Sequence, residues 1–105
     1  MVVQFFDGSK LTDGTEQNLF DITADKHFAL WLFTHNMLAG DTIQVRVNVK
    51  DQNTTTMRKY IDTAISDAQT KPAFFIPFVP TKQYKVSIQR TAGTDRTYTF
   101  QRIEA

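Results

Sequence analysis

Residues 42–50 read TIQVRVNVK, and their side chains alternate between polar and apolar along the whole stretch. Alternation with a period of two is typical of a β-strand that buries one face. The apolar positions carry β-branched side chains, which suit a pleated sheet; they are Ile43, Val45, Val47 and Val49. This stretch therefore predicts a half-buried strand.

Two later stretches repeat the alternation. Residues 83–91, QYKVSIQRT, place Tyr84, Val86 and Ile88 on one side, and residues 96–104, RTYTFQRIE, do the same with Tyr98 and Phe100. Residues 92–95, Ala-Gly-Thr-Asp, lie between these runs and include a glycine that can adopt positive φ. Two alternating runs around such a loop predict a β-hairpin.

Residues 27–35, HFALWLFTH, are apolar on both alternating sides. A strand of this kind is covered on both faces, or is covered on one face and contacts a partner with the other. Residues 72–80, PAFFIPFVP, contain three prolines, which cannot donate to a sheet ladder. We expect this strand to lie at a sheet edge or to be bulged at Pro77, and Phe74 and Phe75 to point in opposite directions.

Weaker strand patterns occur at residues 2–6, VVQFF, and 16–22, EQNLFDI, with Asp-Gly pairs at 7–8 and 13–14 that favour turns. Residues 54–69 are ambiguous. Six apolar residues between Met57 and Ala68 have helical spacing, which fits one short helix near residues 56–68. The threonines and Ile61 suit a strand, and we favour an extended segment from about Thr55 to Ile65.

About seven to eight short strands separated by turn residues predict an all-β fold, an antiparallel β-sandwich that is jelly-roll-like or immunoglobulin-like. The chain of 105 residues fits a single domain, residues 1–105. Cysteine is absent, which excludes disulfides and thiolate chemistry. The first residues lack a basic segment followed by a long apolar run, and we expect neither a signal peptide nor a membrane span.

The net charge of +1 argues against a dedicated nucleic-acid binder. Charge is unevenly distributed, however: residues 1–41 carry two basic and six acidic groups, and residues 82–105 carry five basic and two acidic groups. The strand order could mix these charges within one molecule. Alternatively, an acidic patch and a basic patch could meet between copies, since complementary potentials favour specific association.

No constellation of catalytic residues is evident. His27 and His35 would lie about 26 Å apart in one strand (eight residues at ~3.3 Å each) and could not share a metal ion there. The serines lack a nucleophile motif and the glycines form no phosphate loop. We therefore expect no enzyme activity, no cofactor and no metal.

The last third of the chain offers a candidate partner-binding set. Phe74, Phe75 and Phe78 would form its apolar part, because exposed apolar patches commonly mark interfaces. Arg90, Arg96 and Arg102 would form a charged rim around them. Trp31, Tyr60 or Tyr84 could instead stack on a sugar, which makes a carbohydrate-binding module the alternative, and a third hypothesis is single-strand nucleic-acid binding by the basic C-terminal third.

Residues 72–105, PAFFIPFVPTKQYKVSIQRTAGTDRTYTFQRIEA, and residues 20–47, FDITADKHFALWLFTHNMLAGDTIQVRV, resemble small single-domain β-sandwich proteins encoded by viruses of bacteria and archaea. The shared features are a Tyr-Lys-Val run, an Ala-Gly-Thr turn and an aromatic last strand. The resemblance implies a structural virion component, of the capsid decoration, cement or minor capsid type. Such a protein would be made in the host cytoplasm and bind in many copies to other subunits, its own or those of the capsid, as a homo-oligomer.

Overall fold

The computed structural model describes residues 3–50, 56–69 and 73–105, which form six β-strands and no helix. The strands are β1 (Gln4–Leu11), β2 (Gln17–Phe33), β3 (Thr42–Lys50), β4 (Met57–Ser66), β5 (Ala73–Ala92) and β6 (Thr97–Glu104). Neighbouring strands are antiparallel and follow the order β1-β6-β2-β5-β3-β4. The predicted all-β antiparallel class is confirmed.

The sheet folds over on itself because β2 and β5 bend. Phe100 pairs with Leu32 of β2, and Phe20 lies twelve residues earlier on the same strand. A flat strand would separate these positions by about 40 Å (12 × ~3.3 Å). The rings of Phe20 and Phe100 are nevertheless 6.1 Å apart, so the two halves of β2 belong to two layers that face each other.

Two layers thus arise from one continuous sheet. The first layer contains β1, β6, residues 28–33 of β2 and residues 73–79 of β5. The second layer contains β3, β4 and the other halves of β2 and β5. We call the end where β2 and β5 bend the bend end, and the opposite end, where the connecting loops meet, the loop end.

The structure has six strands where the sequence predicted seven to eight, because two long strands each contain two of the predicted ones. Residues 17–22 and 27–33 of the predicted patterns belong to one strand, β2, and residues 73–80 and 83–91 belong to β5. Counted by layer, the six strands supply eight segments. Register shifts in the β2–β5 pair lie between Thr23 and Lys26 and between Phe28 and Leu30, and such bulges let a strand turn while most of its pairing continues.

The core lies between the layers, where the inward side chains of every alternating run meet. Phe28 of the first layer stacks on Tyr84 of the second, with ring centroids 5.2 Å apart. Each fully buried large apolar side chain contributes about 1.5–3 kcal/mol. The buried cluster consists of Phe28, Leu30, Leu32, Met37, Ile43, Val45, Val47, Ile76, Tyr84, Val86, Ile88 and Tyr98.

The predicted hairpin around residues 92–95 is wrong. In the described part of the chain β5 pairs with β2 and β3, whereas β6 pairs with β1 and β2, so β2 separates the two alternating runs. The loop crosses from the second layer to the first. Local turn chemistry favoured a hairpin, but pairing β6 with β1 and β2 places its apolar side chains opposite the inner face of the second layer.

Residues 57–66 are a strand, so the extended interpretation is confirmed and the helical one is wrong; Thr55 lies outside the described residues. β3 supplies pairing partners along the whole of β4, from Thr42–Ser66 to Lys50–Met57. The turn predicted at Asp7–Gly8 is also wrong, because both residues lie within β1. Gly8 pairs with Phe100, whose ring covers the glycine so closely that an added Cβ would lie 2.5 Å from it.

Candidate functional site

The outward side of the first layer is aromatic. Strand register places Trp31 beside Phe75 on β5 and beside Gln101 on β6, and Phe5 lies opposite Ile103. We call this surface the aromatic face and define it as Phe5, Trp31, Phe33, Phe75 and Phe78.

Trp31 contacts two other rings of the aromatic face, and four of its five rings are open to solvent. The ring centroids of Trp31 and Phe75 are 4.3 Å apart, and those of Trp31 and Phe33 are 6.4 Å apart. The exposed fractions are 59% for Phe5, 37% for Trp31, 39% for Phe75 and 46% for Phe78. Single exposed apolar residues are ordinary, but a contiguous group of this kind is not.

A bulge in β5 explains why Phe78 joins this surface. Leu30 pairs with Ile76 and Phe28 pairs with Val79, so one residue of β2 opposes both Pro77 and Phe78. Residues 73–80 pair only with β2 among the described strands, which puts this half of β5 at a sheet edge. The predictions of an edge strand and of a bulge at Pro77 are both confirmed.

Phe74 and Phe75 point to opposite sides, as expected. Phe74 packs against the core, whereas Phe75 lies on the aromatic face. Of the three predicted phenylalanines, the structure therefore brings Phe75 and Phe78 together on the surface and separates Phe74 from them.

The three predicted rim arginines are engaged within the chain and do not surround the aromatic face. Arg90 is paired with Asp95, and Arg96 Nε lies 2.5 Å from Asp41 Oδ2. Arg102 lies between the layers, 3.0 Å from Glu104 and with its guanidinium carbon 4.2 Å from the centre of the Phe6 ring. Alternation placed these arginines on strands and loops but could not reveal their carboxylate partners.

Polar groups next to the aromatic face come from β1 and β6. Gln101 Nε2 donates a hydrogen bond of 2.9 Å to Asp7 Oδ1. Gln101 is the register neighbour of both Asp7 and Trp31, so an amide and a carboxylate lie in the same row as the Trp31–Phe75 pair. An aromatic platform with adjacent hydrogen-bonding groups can bind either a protein side chain or a sugar ring.

The outward side of the second layer is polar. Arg46 on β3 donates hydrogen bonds of 3.0 Å to Glu16 and to Gln89, and its Nε lies 3.6 Å from Asp62 on β4. Ser87 is fully buried under this network and donates to Glu16. These contacts satisfy the surface within the molecule, in contrast with the aromatic face.

Asp41 is the centre of the loop end. Its carboxylate accepts hydrogen bonds from the Leu38 and Thr94 backbone N–H groups and from Arg96, and its side chain is almost fully buried. These donors, the Leu38 N–H first, lower the pKa of Asp41 to about 2. The cluster ties the β2–β3 loop to the β5–β6 loop, and sequence reasoning missed it because its members lie 55 positions apart.

Ion pairs mix the unevenly distributed charges of the chain. Asp41 pairs with Arg96, Glu16 with Arg46, and Lys26 with Glu104 at 3.1 Å. Each pair joins one of residues 1–41 to an oppositely charged residue later in the chain. The strand order therefore brings opposite charges together within one molecule at these positions.

An open cleft of about 530 Å³ lies at the bend end. We call it the basic cleft, because its walls include Lys26 on β2, Lys50 at the end of β3 and Lys82 on β5, together with Asp25, His27 and Pro80. His27 is in the middle of β2, whereas His35 lies in the β2–β3 loop, and the described residues contain no cluster of acidic, histidine or cysteine side chains that could hold a metal ion.

The other stacking candidates differ from Trp31. Tyr84 is fully buried, and burial raises the pKa of its hydroxyl, so it offers no stacking surface. Tyr60 is exposed but lies on β4, at the other edge of the sheet.

Comparison with known proteins found no match among protein-family models, curated proteins or solved structures. Among the described residues, no helix is long and apolar enough to cross a membrane.

Proposed function

We propose that this protein is a non-enzymatic structural component of a virion, which binds in many copies to protein subunits through its aromatic face. The observation that carries the proposal is the group of four exposed rings on the outward side of the first layer, two of which, Trp31 and Phe75, are in contact. Water-exposed aromatic surface of this kind is stabilised when a partner covers it. In this role the protein would be made in the host cytoplasm and assembled into the particle.

The area of the aromatic face fits the centre of a protein interface. Exposed fractions of 37–59% on four side chains of roughly 200 Å² each leave an apolar area on the order of 350 Å². A stable interface buries about 800 Å² per partner, with an apolar centre and a polar rim. The aromatic face would supply the centre, and repetition over a lattice would multiply a modest affinity.

The test is a double substitution, Phe75→Gln with Phe78→Gln, compared with Tyr60→Gln. Tyr60 is a matched control, because it is an exposed aromatic residue outside the aromatic face. Sedimentation of the purified protein over a wide concentration range should show self-association, or co-sedimentation should show binding to purified virions, that the double variant loses and Tyr60→Gln keeps. A wild-type protein that stays monomeric at high concentration and binds no particle would contradict the proposal.

A carbohydrate-binding module is the second candidate, and one specific observation favours it. Trp31 is on the surface, its ring contacts Phe75, and the Gln101–Asp7 pair lies in the same row. Sugar rings stack on such platforms while their hydroxyls bond to amide and carboxylate groups. Glycan-array binding that is lost in Trp31→Ala and kept in Tyr60→Ala would establish this alternative.

A further inference from the structure

The basic cleft lies at one of the bulges where β2 and β5 bend. The register between β2 and β5 shifts from Thr23–Gln83 to Lys26–Thr81, so Ala24 and Asp25 oppose the single residue Lys82. Bulges of this kind re-aim side chains and are common next to binding sites. Here the bulge brings Lys26 and Lys82 to one cleft, and the end of β3 adds Lys50.

Positive charge in the cleft is only partly neutralised. Lys26 lies 3.1 Å from Glu104, but Glu104 also pairs with Arg102 at 3.0 Å. In the described part of the chain no carboxylate lies within ion-pair distance of Lys50 or Lys82. Among the side chains that line the cleft, three lysines face a single carboxylate, that of Asp25.

The lysines of the cleft interact unfavourably with one another. Like charges repel, and a concave wall of lower dielectric than water strengthens the repulsion. The loop end of the same molecule shows the opposite arrangement, in which Arg90 and Arg96 each have a carboxylate partner. The lysines of the cleft are therefore available to an anionic ligand, whereas the arginines of the loop end are already paired.

We propose that the basic cleft binds a small phosphate-bearing anion with at least two negative charges. Its volume of about 530 Å³ lies within the range of small-molecule sites, roughly 300–1,000 Å³. Lysine ammonium groups bind phosphate oxygens as point charges and tolerate different phosphate geometries. Pro80 and Val49 add apolar wall that would cover the organic part of a phosphate ester.

The site is separate from the aromatic face. None of the five residues that define the aromatic face lines the cleft, and the cleft lies at the bend of β2 and β5. Loss of anion binding would therefore leave the proposed assembly function intact, and loss of assembly would leave anion binding intact.

The test uses inorganic pyrophosphate as the probe, with calorimetric titration of the full chain at low ionic strength. We expect saturable one-site binding that weakens about tenfold in Lys82→Gln and in Lys50→Gln, since each removes one charge-assisted contact. Lys85→Gln is the matched control, because Lys85 lies three residues further along β5 and outside the cleft lining. Circular dichroism would verify that each variant is folded.

Three outcomes would overturn the proposal. The first is no saturable binding of pyrophosphate by the wild-type protein. The second is equal weakening in Lys82→Gln and Lys85→Gln, which would indicate a diffuse charge effect. The third is binding of a single-stranded oligonucleotide through the same lysines without any binding of pyrophosphate, which would indicate a nucleic-acid surface instead of a small-anion site.

Discussion

The two ends of this sandwich differ in whether their charged side chains have partners within the described part of the chain. At the loop end, the buried Asp41 carboxylate accepts three hydrogen bonds, and Thr12 donates to Asp95 across two loops. At the bend end, Lys50 and Lys82 face an open cleft without a carboxylate partner among the described residues. Charges that satisfy one another hold a fold together, whereas charges left without partners in a concave surface are available to a ligand.

Substitutions at the two ends should therefore affect the stability of the fold differently. Substitutions at the loop end should destabilise the fold, because they leave buried donors or acceptors unpaired. Substitutions of Lys82 at the bend end and of the nearby Tyr84 should leave the fold unchanged or make it more stable, because they remove repulsion or an unpaired hydroxyl.

Gly93→Ala should be the most destabilising of these changes, by about 3 kcal/mol or more. Gly93 has φ of +86°, and an added Cβ would lie 2.6 Å from Asp41 Cα and 2.8 Å from the Gly40 carbonyl oxygen. Gly40→Ala is the matched control, since Gly40 has φ of +90° but nothing within 4 Å of the added atom. We expect that control to cost about 1 kcal/mol. Urea denaturation measures both, and equal losses would show that Gly93 is not a close-contact point.

Acid should remove the contribution of Asp41 to stability. The folded-state pKa of about 2 is below the ordinary value of 3.8, so the contribution is complete above about pH 4 and is lost as the pH falls towards about 2. Asp41→Asn should therefore be less stable than the wild type at pH 7, with a difference that shrinks as the pH falls through this window. Denaturation at pH 7 and near pH 2.5 tests this expectation. A constant difference at all pH values would contradict it.

Tyr84→Phe should leave stability within about 1 kcal/mol of the wild type or raise it. The buried Tyr84 hydroxyl has no hydrogen-bond partner among the described residues, so its removal relieves a desolvation cost while the ring still stacks on Phe28. The free energy of unfolding from urea titration is the measurement. A loss well above 1 kcal/mol would show that the hydroxyl is bonded in solution.

Lys82→Gln should have the smallest effect, a gain of a few tenths of a kcal/mol at low ionic strength, because it removes one of several like charges. The gain should disappear at high salt. Lys85→Gln, outside the cleft, should show no such gain. If Lys82→Gln is destabilising at low salt, the lysine has a structural partner and the contrast between the two ends fails.

The alternation of the sequence predicted the position of some candidate residues in the fold but not of others. Alternation correctly assigned the inward sides of β3, β5 and β6, and Pro77 correctly indicated a bulge. The same reasoning could not decide which side of residues 27–35 faces outward, because both sides are apolar. The structure buries Phe28, Leu30 and Leu32 and exposes Trp31, so the aromatic face was not predictable from hydrophobicity alone.

The sequence by itself determined that this chain forms antiparallel strands, where most of them lie and which side of each alternating strand is buried, because these properties depend on neighbours in the chain. Only the tertiary structure decided that β2 separates β5 from β6, that Arg90, Arg96 and Arg102 have internal partners, and that three lysines meet in one cleft. Those arrangements depend on how two long strands bend and on which strands then pair. Such contacts join residues far apart in the chain, and local patterns carry no information about them.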